Sequence, residues 1–247
     1  MTESLDVLAI AAHPDDAEVG CGGVLIQAAA AGLRTGVVDL TAGERATRGT
    51  PRQRSAERDR ASEVMGLATR TDAGLPDTGL GTDPSHRAAV IRLIRELRPG
   101  IVLAPYPDDR HPDHAAAGRL AREGSFIAGV GKIGEGEPHR PTSVYHFMVH
   151  HPFTPSFVVD VSRVWDRKVE AMLAYESQFG TEDLDPQTAL AGGGFVSLID
   201  ARARFHGAMI GAERGEAFHS PGPVPLRFLP GVQDAGLGEG TGYHMFH

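Results

Sequence analysis

Two short clusters of metal-ligand residue types stand out in this sequence. The first is His-Pro-Asp-Asp at residues 13–16, and the second is His-Pro-Asp-His at residues 111–114. Together they offer several imidazoles and carboxylates, which is the donor set that a divalent ion such as zinc uses when one coordination position stays open for water. Each cluster closely follows a short apolar run, so we expect both to lie at the ends of buried strands.

In the first cluster, Pro14 fixes φ and makes the turn after the strand rigid. His13 and Asp16 are three residues apart, so both side chains can reach one ion across a tight turn. Asp15 then points elsewhere and remains free to accept a proton from water. The turn also has a simpler interpretation, in which Asp15 or Asp16 only caps the backbone.

In the second cluster, His111 and His114 are also three residues apart, and Pro112 suits the first turn of a helix. Such a helix places both imidazoles on one face. The spacing leaves open which of the two binds the metal.

Two histidines and one carboxylate leave a fourth position for water, whose pKa a bound ion lowers to about 7. A nearby carboxylate would serve as general base, and a protonated second histidine would stabilise the oxyanion or protonate a leaving amine. The predicted chemistry is metal-assisted hydrolysis of an amide or an ester.

Alternating strands and helices are predicted to position the clusters. The predicted strands are 5–12, 36–41, 69–73, 101–104, 143–149 and 157–161, and the predicted helices are 20–31, 50–66, 84–97, 164–178 and 195–210. This order predicts one α/β domain with a Rossmann-like, mostly parallel sheet flanked by helices. Ligand sites in such sheets lie beyond the carboxyl ends of the strands, so the two clusters should converge.

Composition excludes several other classes of protein. The chain has 247 residues, of which 41% are hydrophobic, so it can bury a sizeable core. Its formal charge of −8 argues against a nucleic-acid or anionic-membrane partner. The single cysteine, Cys21, excludes an intrachain disulfide and a cysteine-based zinc cluster. No apolar stretch approaches the roughly 20 residues of a membrane span, and we expect a cytoplasmic protein.

Further segments agree with a known family. They are AHPDDAEVGCGG, DLTAGE, RGTPRQRSAE, APYPDDRHPDH, FVVDVS, AYESQF and EAFHSPGPVP. With them the sequence resembles, over about residues 5–228, the LmbE/PIG-L family of zinc-dependent N-acetylglucosamine deacetylases. The pattern is closest to the bacillithiol-biosynthesis branch, which removes acetyl from N-acetylglucosaminyl-malate.

The resemblance implies an amide hydrolase acting on a carbon–nitrogen bond other than a peptide bond. It implies Zn²⁺ as cofactor, although ferrous iron suits the same ligands, and a small-molecule N-acetylglucosaminyl conjugate as partner. We expect a homo-oligomer with no nucleic-acid or membrane partner. The whole chain, 1–247, is expected to form one deacetylase domain, with 229–247 as an extension of unassigned role.

By the same resemblance, His13, Asp16 and His114 would bind zinc, Asp15 would be the general base, and His111 would be the unligated histidine that supports the oxyanion or the leaving group. Arg54 and Arg110 match positions that face the anionic part of the substrate. In one place the chain departs from its relatives, because Phe195 stands where they often have a tyrosine that is assigned an oxyanion role. Either another donor replaces that hydroxyl, or the rate or substrate differs.

Other functions compete with this one. Gly20-Cys21-Gly22-Gly23 after the first strand superficially resembles a dinucleotide fingerprint, but Leu25 stands where a third glycine belongs, and the carboxylates before the glycines would repel a pyrophosphate. A deacetylase of an inositol-linked or chitooligosaccharide conjugate and a metal-dependent phosphoesterase are further alternatives. Arg54 also has a simpler interpretation, as part of a solvated helix face.

Overall fold

The computed structural model describes residues 4–180, 188, 190 and 193–226. Its strands are β1 (Val7–Ala11), β2 (Thr35–Asp39), β3 (Thr69–Asp72), β4 (Ile101–Pro105), β5 (Ser143–Phe147), β6 (Phe157–Asp160) and β7 (Gly215–His219). They form one seven-stranded sheet in the order β3-β2-β1-β4-β5-β7-β6. The pairs from β3 to β5 are parallel, and β7 is antiparallel to both of its neighbours. The predicted Rossmann-like, mostly parallel sheet is confirmed.

The helices are α1 (Asp16–Ala30), α2 (Pro51–Met65), α3 (Pro84–Leu97), α4 (Pro112–Ala128), α5 (Trp165–Leu173), α6 (Glu176–Phe179) and α7 (Gly194–Met209). The ends of α2 show why the sequence signals work. The Thr50 side chain accepts a hydrogen bond from the Gln53 N–H at 3.2 Å, and Gly66 ends the helix in the left-handed conformation at φ 71°. None of the described helices combines the length and the apolar character needed to cross a membrane.

The sheet separates two apolar layers, and the side chains of β1 divide between them. Val7, Ala9 and Ala11 pack with α1, α2, α5 and α7 on one face, whereas Leu8 and Ile10 pack with α3 and α4 on the other. Because both faces are covered, β1 is apolar along its whole length, as its sequence indicated.

Three predicted elements differ from the structure. The sequence predicted no strand or helix after residue 210, but β7 lies there, between β5 and β6. The predicted helix 164–178 is interrupted, since α5 ends at Leu173 and a separate turn, α6, follows. Helix α1 begins at Asp16, inside the first cluster, and not at Gly20. The proposed extension, residues 229–247, lies outside the described residues.

The strand order reverses between β1 and β4, which lie side by side at the centre of the sheet. The His13–Asp16 turn follows β1, and the loop after β4 leads to His111 at the start of α4. Both clusters therefore emerge at the crevice where doubly wound sheets bind their ligands.

Candidate metal centre and its cavity

The two clusters meet, as predicted. The rings of His13, His111 and His114 lie with centroids 4.6–5.3 Å apart. The carboxylate of Asp16 lies against two of them, with Oδ1 3.1 Å from His114 Nε2 and Oδ2 3.5 Å from His13 Nδ1. Residues separated by about a hundred positions thus form one polar cluster.

Asp16 also fixes the turn that places it. Its Oδ2 accepts hydrogen bonds from the backbone N–H groups of Ala12 at 3.1 Å and His13 at 2.9 Å. Oδ2 therefore caps the backbone of the turn, as in the simpler interpretation of this cluster, whereas Oδ1 faces His114. One carboxylate holds the turn rigid and still presents an oxygen to the centre.

Asp109 orients His114 from behind. Its Oδ1 lies 3.2 Å from His114 Nδ1, and the carboxylate also accepts the backbone N–H groups of His111, His150 and His151. A carboxylate on one ring nitrogen leaves the other, Nε2, to face the centre, which is how metal-binding histidines are held. Asp109 is not among the residues predicted from the sequence, where its only signal is an acidic residue five positions before His114.

The electrostatics of the centre favour a positive charge. Burial lowers the pKa of His114, but Asp16 and Asp109 outweigh it and raise that pKa to about 9. Burial alone would raise the pKa of Asp16, yet the neighbouring His114 and His13 hold it well below its usual range. Carboxylates that stabilise a protonated histidine in this way can also stabilise a bound metal cation. Metal binding displaces the proton from the histidine nitrogen that becomes a ligand.

Several groups of side chains could hold a metal ion. Among the described residues, ligand atoms lie within 4.8 Å of one another in His13–His111–His114, in Asp109–His114–His150 and in His13–Asp77–Asp113. Imidazole with carboxylate suits zinc and ferrous iron alike. The donor set fits a divalent cation, and the assignment of His13, Asp16 and His114 as its ligands stays a prediction.

Asp15 and Asp16 contact different side chains, since Asp15 lies against Arg54 and Asp16 lies against His13 and His114. The backbone of Asp15 adopts φ 112° and ψ −26°, a costly conformation for a residue other than glycine, and its side chain makes no helix-capping hydrogen bond. Burial raises the pKa of Asp15 to about 7, although Arg54 opposes the rise. The side chain lines the cavity, so a carboxyl group with a near-neutral pKa faces the space where a substrate would lie.

His111 is the N-cap of α4, and its Nδ1 accepts the Asp113 N–H at 3.2 Å. Burial lowers its pKa, and His114 and His13 add to that effect. Both observations favour the neutral ring with its proton on Nε2. A neutral His111 would serve as an N–H donor, and the protonated histidine that we expected stays a prediction.

Of the two predicted substrate-binding arginines, Arg54 lies in the cavity wall and Arg110 does not. The Arg54 guanidinium donates to the carbonyl oxygens of Pro14 and Gly43 and lies 3.4 Å from Asp15 Oδ2. It therefore holds the first cluster in place. Arg110 is exposed, and for both residues the contact with a substrate anion stays a prediction.

The cavity in front of the centre has a volume of about 260 Å³. Phe195 forms part of its wall, with its ring stacked on Phe179 at 5.9 Å between centroids and edge-on to His150 at 5.9 Å. The position at which the family resemblance implies a tyrosine thus lies at the site, and here it presents an apolar surface. Arg48 also lines the cavity, and it is not among the site residues predicted from the sequence.

The glycines after β1 serve packing. A Cβ on Gly20 would overlap the Phe147 ring, and the N–H groups of Gly23 and Val24 each donate to the Glu216 carboxylate at 2.8 Å. With a protein carboxylate on these N–H groups, the structure gives no support to a pyrophosphate site there.

Comparison with known proteins agrees with this geometry. Residues 8–124 match the family model described as PIG-L, GlcNAc-PI de-N-acetylase. The crystal structure of the conserved protein TT1542 from Thermus thermophilus is 41% identical, covers 93% of this chain and 100% of its own, and superposes with a TM-score of 0.84. The chain belongs to the PIG-L family.

Two curated relatives have named activities. The diacetylchitobiose deacetylase of Thermococcus kodakarensis is 29% identical over 92% of this chain and 84% of its own length. The probable N-acetyl-alpha-D-glucosaminyl L-malate deacetylase 2 of Bacillus anthracis is 29% identical over 74% of this chain and 85% of its own.

Proposed function

We propose that this protein is a metal-dependent N-deacetylase that hydrolyses the acetamide group of an N-acetylglucosaminyl conjugate. The observation that supports it most is the convergence of His13, Asp16 and His114 beside a cavity that Asp15 lines. The family match and the relatives named as deacetylases support the same reaction.

A divalent cation, when bound, polarises the amide carbonyl and activates a water. Asp15 takes the proton from that water as its oxygen attacks the acetyl carbon, and it gives the proton to the amine nitrogen as the C–N bond breaks. The products are acetate and a free amine. A carboxyl pKa of about 7 suits both halves of this transfer.

His111 stabilises the oxyanion by donating its Nε2–H. Its Nδ1 is held by the Asp113 N–H, so the ring keeps the tautomer that makes Nε2 the donor. Since Phe195 has no hydroxyl, the oxyanion role would fall to this N–H without the second donor that a tyrosine would supply.

The finer proposal is that the conjugate is N-acetylglucosaminyl-malate, as in bacillithiol biosynthesis, with zinc as the resident metal in a homo-oligomer whose single domain spans 1–247. The segments shared with that branch and the malate-named relative support it. The competing aglycone is a second sugar, supported by the diacetylchitobiose deacetylase.

The test is a substrate panel on protein of known metal content. N-acetylglucosaminyl-malate, its inositol-linked counterpart, diacetylchitobiose and free N-acetylglucosamine are incubated with zinc-loaded protein, and released acetate is quantified. We expect the malate conjugate to give the highest kcat/KM, and treatment with a chelator to abolish acetate release until zinc is restored.

Two results would contradict the proposal at different levels. Faster turnover of diacetylchitobiose than of the malate conjugate would contradict malate as the aglycone, but it would still support a deacetylase activity. Acetate release from no substrate, on fully zinc-loaded protein, would overturn the deacetylase itself.

A further inference from the structure

Arg48 is a buried arginine whose charge is not paired among the described residues. It lies in the loop between β2 and α2, is 6% exposed, and lines the same cavity as Asp15 and His111. Both terminal nitrogens of its guanidinium are buried and hydrogen bond to no atom of the part of the chain that the structure describes. The Gln178 side chain donates to the Arg48 carbonyl oxygen at 2.9 Å, so the backbone of this loop is held in place.

The arrangement is unusual for a buried guanidinium. Arginine remains charged at any physiological pH, and buried arginines are nearly always paired because an unmade hydrogen bond to a charged group is costly. The terminal nitrogens of two other buried arginines are paired. Arg95 donates to the carbonyl oxygens of Ala128, Val130 and Glu135, and Arg54 donates to those of Pro14 and Gly43.

The cavity also restricts where an anion can bind. Asp15, Asp16 and Asp77 line the cavity and would repel an anionic group placed against them. Arg54, in the same wall, has already engaged its terminal nitrogens with protein oxygens. Arg48 offers two terminal nitrogens that nothing among the described residues occupies, in the fork geometry that binds a carboxylate at two points.

We propose that Arg48 binds a carboxylate on the aglycone of the substrate and so selects anionic conjugates over neutral ones. The inference rests on the proposed function, since it requires the cavity to hold an N-acetylglucosaminyl conjugate. Arg48 would act in binding and specificity, and the hydrolytic step would remain with Asp15 and His111.

The test compares R48Q and R48K with the control R52Q, which removes one charge from an exposed position near the start of α2. Steady-state kinetics are measured with N-acetylglucosaminyl-malate and with neutral diacetylchitobiose, on zinc-quantified protein. For R48Q we expect KM for the malate conjugate to rise about 10- to 100-fold, with kcat/KM for diacetylchitobiose changed less than about twofold. R48K should recover part of the loss, and R52Q should behave as the unmodified protein.

A loss of equal size on both substrates in R48Q and R48K would show that Arg48 only supports the fold, and would overturn the inference. So would an unchanged KM for the malate conjugate. If the unmodified protein released no acetate at all, the proposed function would fail, and calorimetry with L-malate alone would decide the role of Arg48. The inference is supported if the unmodified protein binds L-malate and R48Q binds it at least about tenfold more weakly. It is overturned if the unmodified protein does not bind L-malate, or if R48Q binds L-malate equally well.

Discussion

Asp15 and Asp16 are neighbours in sequence with opposite electrostatic surroundings. Burial raises the pKa of Asp15 to about 7, whereas Asp16, though also buried, has its pKa held well below the usual range by His114 and His13. Carboxylates whose pKa values are driven apart in this way commonly divide the roles of proton carrier and charged partner. Asp15 itself adopts a left-handed backbone conformation, and one turn supplies both carboxyl groups.

The general-base role of Asp15 predicts the behaviour of D15N. Asparagine keeps the size of the side chain but cannot accept and return a proton, so kcat/KM should fall at least about 100-fold. Since Asp15 is not expected to bind the metal, zinc content measured by elemental analysis should stay at the level of the unmodified protein. Full activity in D15N would remove the assignment.

Asp109 is predicted to control metal affinity through His114. In D109N the partner of His114 Nδ1 loses its charge, so zinc affinity, measured by competition with a chelator, should weaken about 10- to 100-fold. H13A and H114A should lose the metal altogether. The matched control is D108N at the exposed neighbouring position, and equal zinc affinity in D109N and D108N would contradict the orienting role.

Arg54 has two candidate roles that kinetics can separate. If it positions Asp15, as its contacts with Pro14 and Asp15 indicate, R54Q should lower kcat/KM about tenfold on charged and neutral substrates alike. If it binds the substrate anion, as the family resemblance implies, KM should rise for the malate conjugate alone. We expect an equal loss on both substrates. A rise in KM for the malate conjugate alone would support the predicted contact between Arg54 and the substrate anion.

At the scale of elements, the position of α4 against β4 sets the place of His114. Gly118 lies one turn after His114 on the same face of α4, and a Cβ there would overlap the Pro105 carbonyl oxygen and lie 3.1 Å from the Pro107 nitrogen. The helix can therefore approach the end of β4 only because residue 118 has no side chain.

This close contact predicts an unfavourable effect of G118A. Alanine in a helix interior normally adds up to about 1 kcal/mol of stability relative to glycine. Here the overlap should outweigh that gain, lower the free energy of unfolding by about 1–3 kcal/mol, and weaken zinc binding by shifting His114. The control is G194A in α7, where a Cβ would have nothing within 4 Å. Urea denaturation of the metal-free proteins measures the difference, and a G118A as stable as G194A would contradict the packing argument.

Some elements and site residues could be predicted from the sequence because their causes are local. β1 is a continuous apolar run, α2 has its own caps, and the two clusters contain their ligands at short spacing. β7 could not be predicted, since five residues of mixed polarity become a strand only by pairing with β5 and β6.

The same limit applies to individual residues of the site. Arg48 is one of several arginines in the segment RATRGTPRQR, and only the folded structure shows which guanidinium is buried without a partner among the described residues. Asp109 became visible only when its carboxylate was seen against His114. Spacing predicts which residues can share a centre, but the residues that orient them depend on contacts made by the whole fold.

At the scale of the whole molecule, one buried histidine outside the candidate metal centre makes stability depend on pH. His146 in β5 is 1% exposed and has Nδ1 3.0 Å from the Pro105 carbonyl oxygen. Burial lowers its pKa to about 4, with His219 and Arg122 adding to the shift and the Pro105 carbonyl opposing it. The unfolded chain binds this proton near pH 6.5 and the folded protein only near pH 4, so stability is present above pH 6.5 and is lost as the pH falls towards 4.

The expected loss is at most about 3 kcal/mol between about pH 7.5 and pH 4. In H146N the amide keeps a donor for the Pro105 carbonyl oxygen but does not titrate, so its free energy of unfolding should fall less over the same range. Urea denaturation of both metal-free proteins at several pH values measures the difference. Parallel pH profiles would show that His146 does not contribute.

We propose that the turn after β1 and the first turn of α4 together hold one catalytic cation with a position open to the cavity. Anomalous diffraction at the zinc edge, from crystals of the zinc-loaded protein, tests it most directly. We predict one ion per chain, with His13, Asp16 and His114 at about 2.0–2.2 Å, Asp15 uncoordinated and one position free towards the cavity. An ion bound by His13, Asp77 and Asp113, or by Asp109, His114 and His150, or enclosed by four side chains, would contradict it.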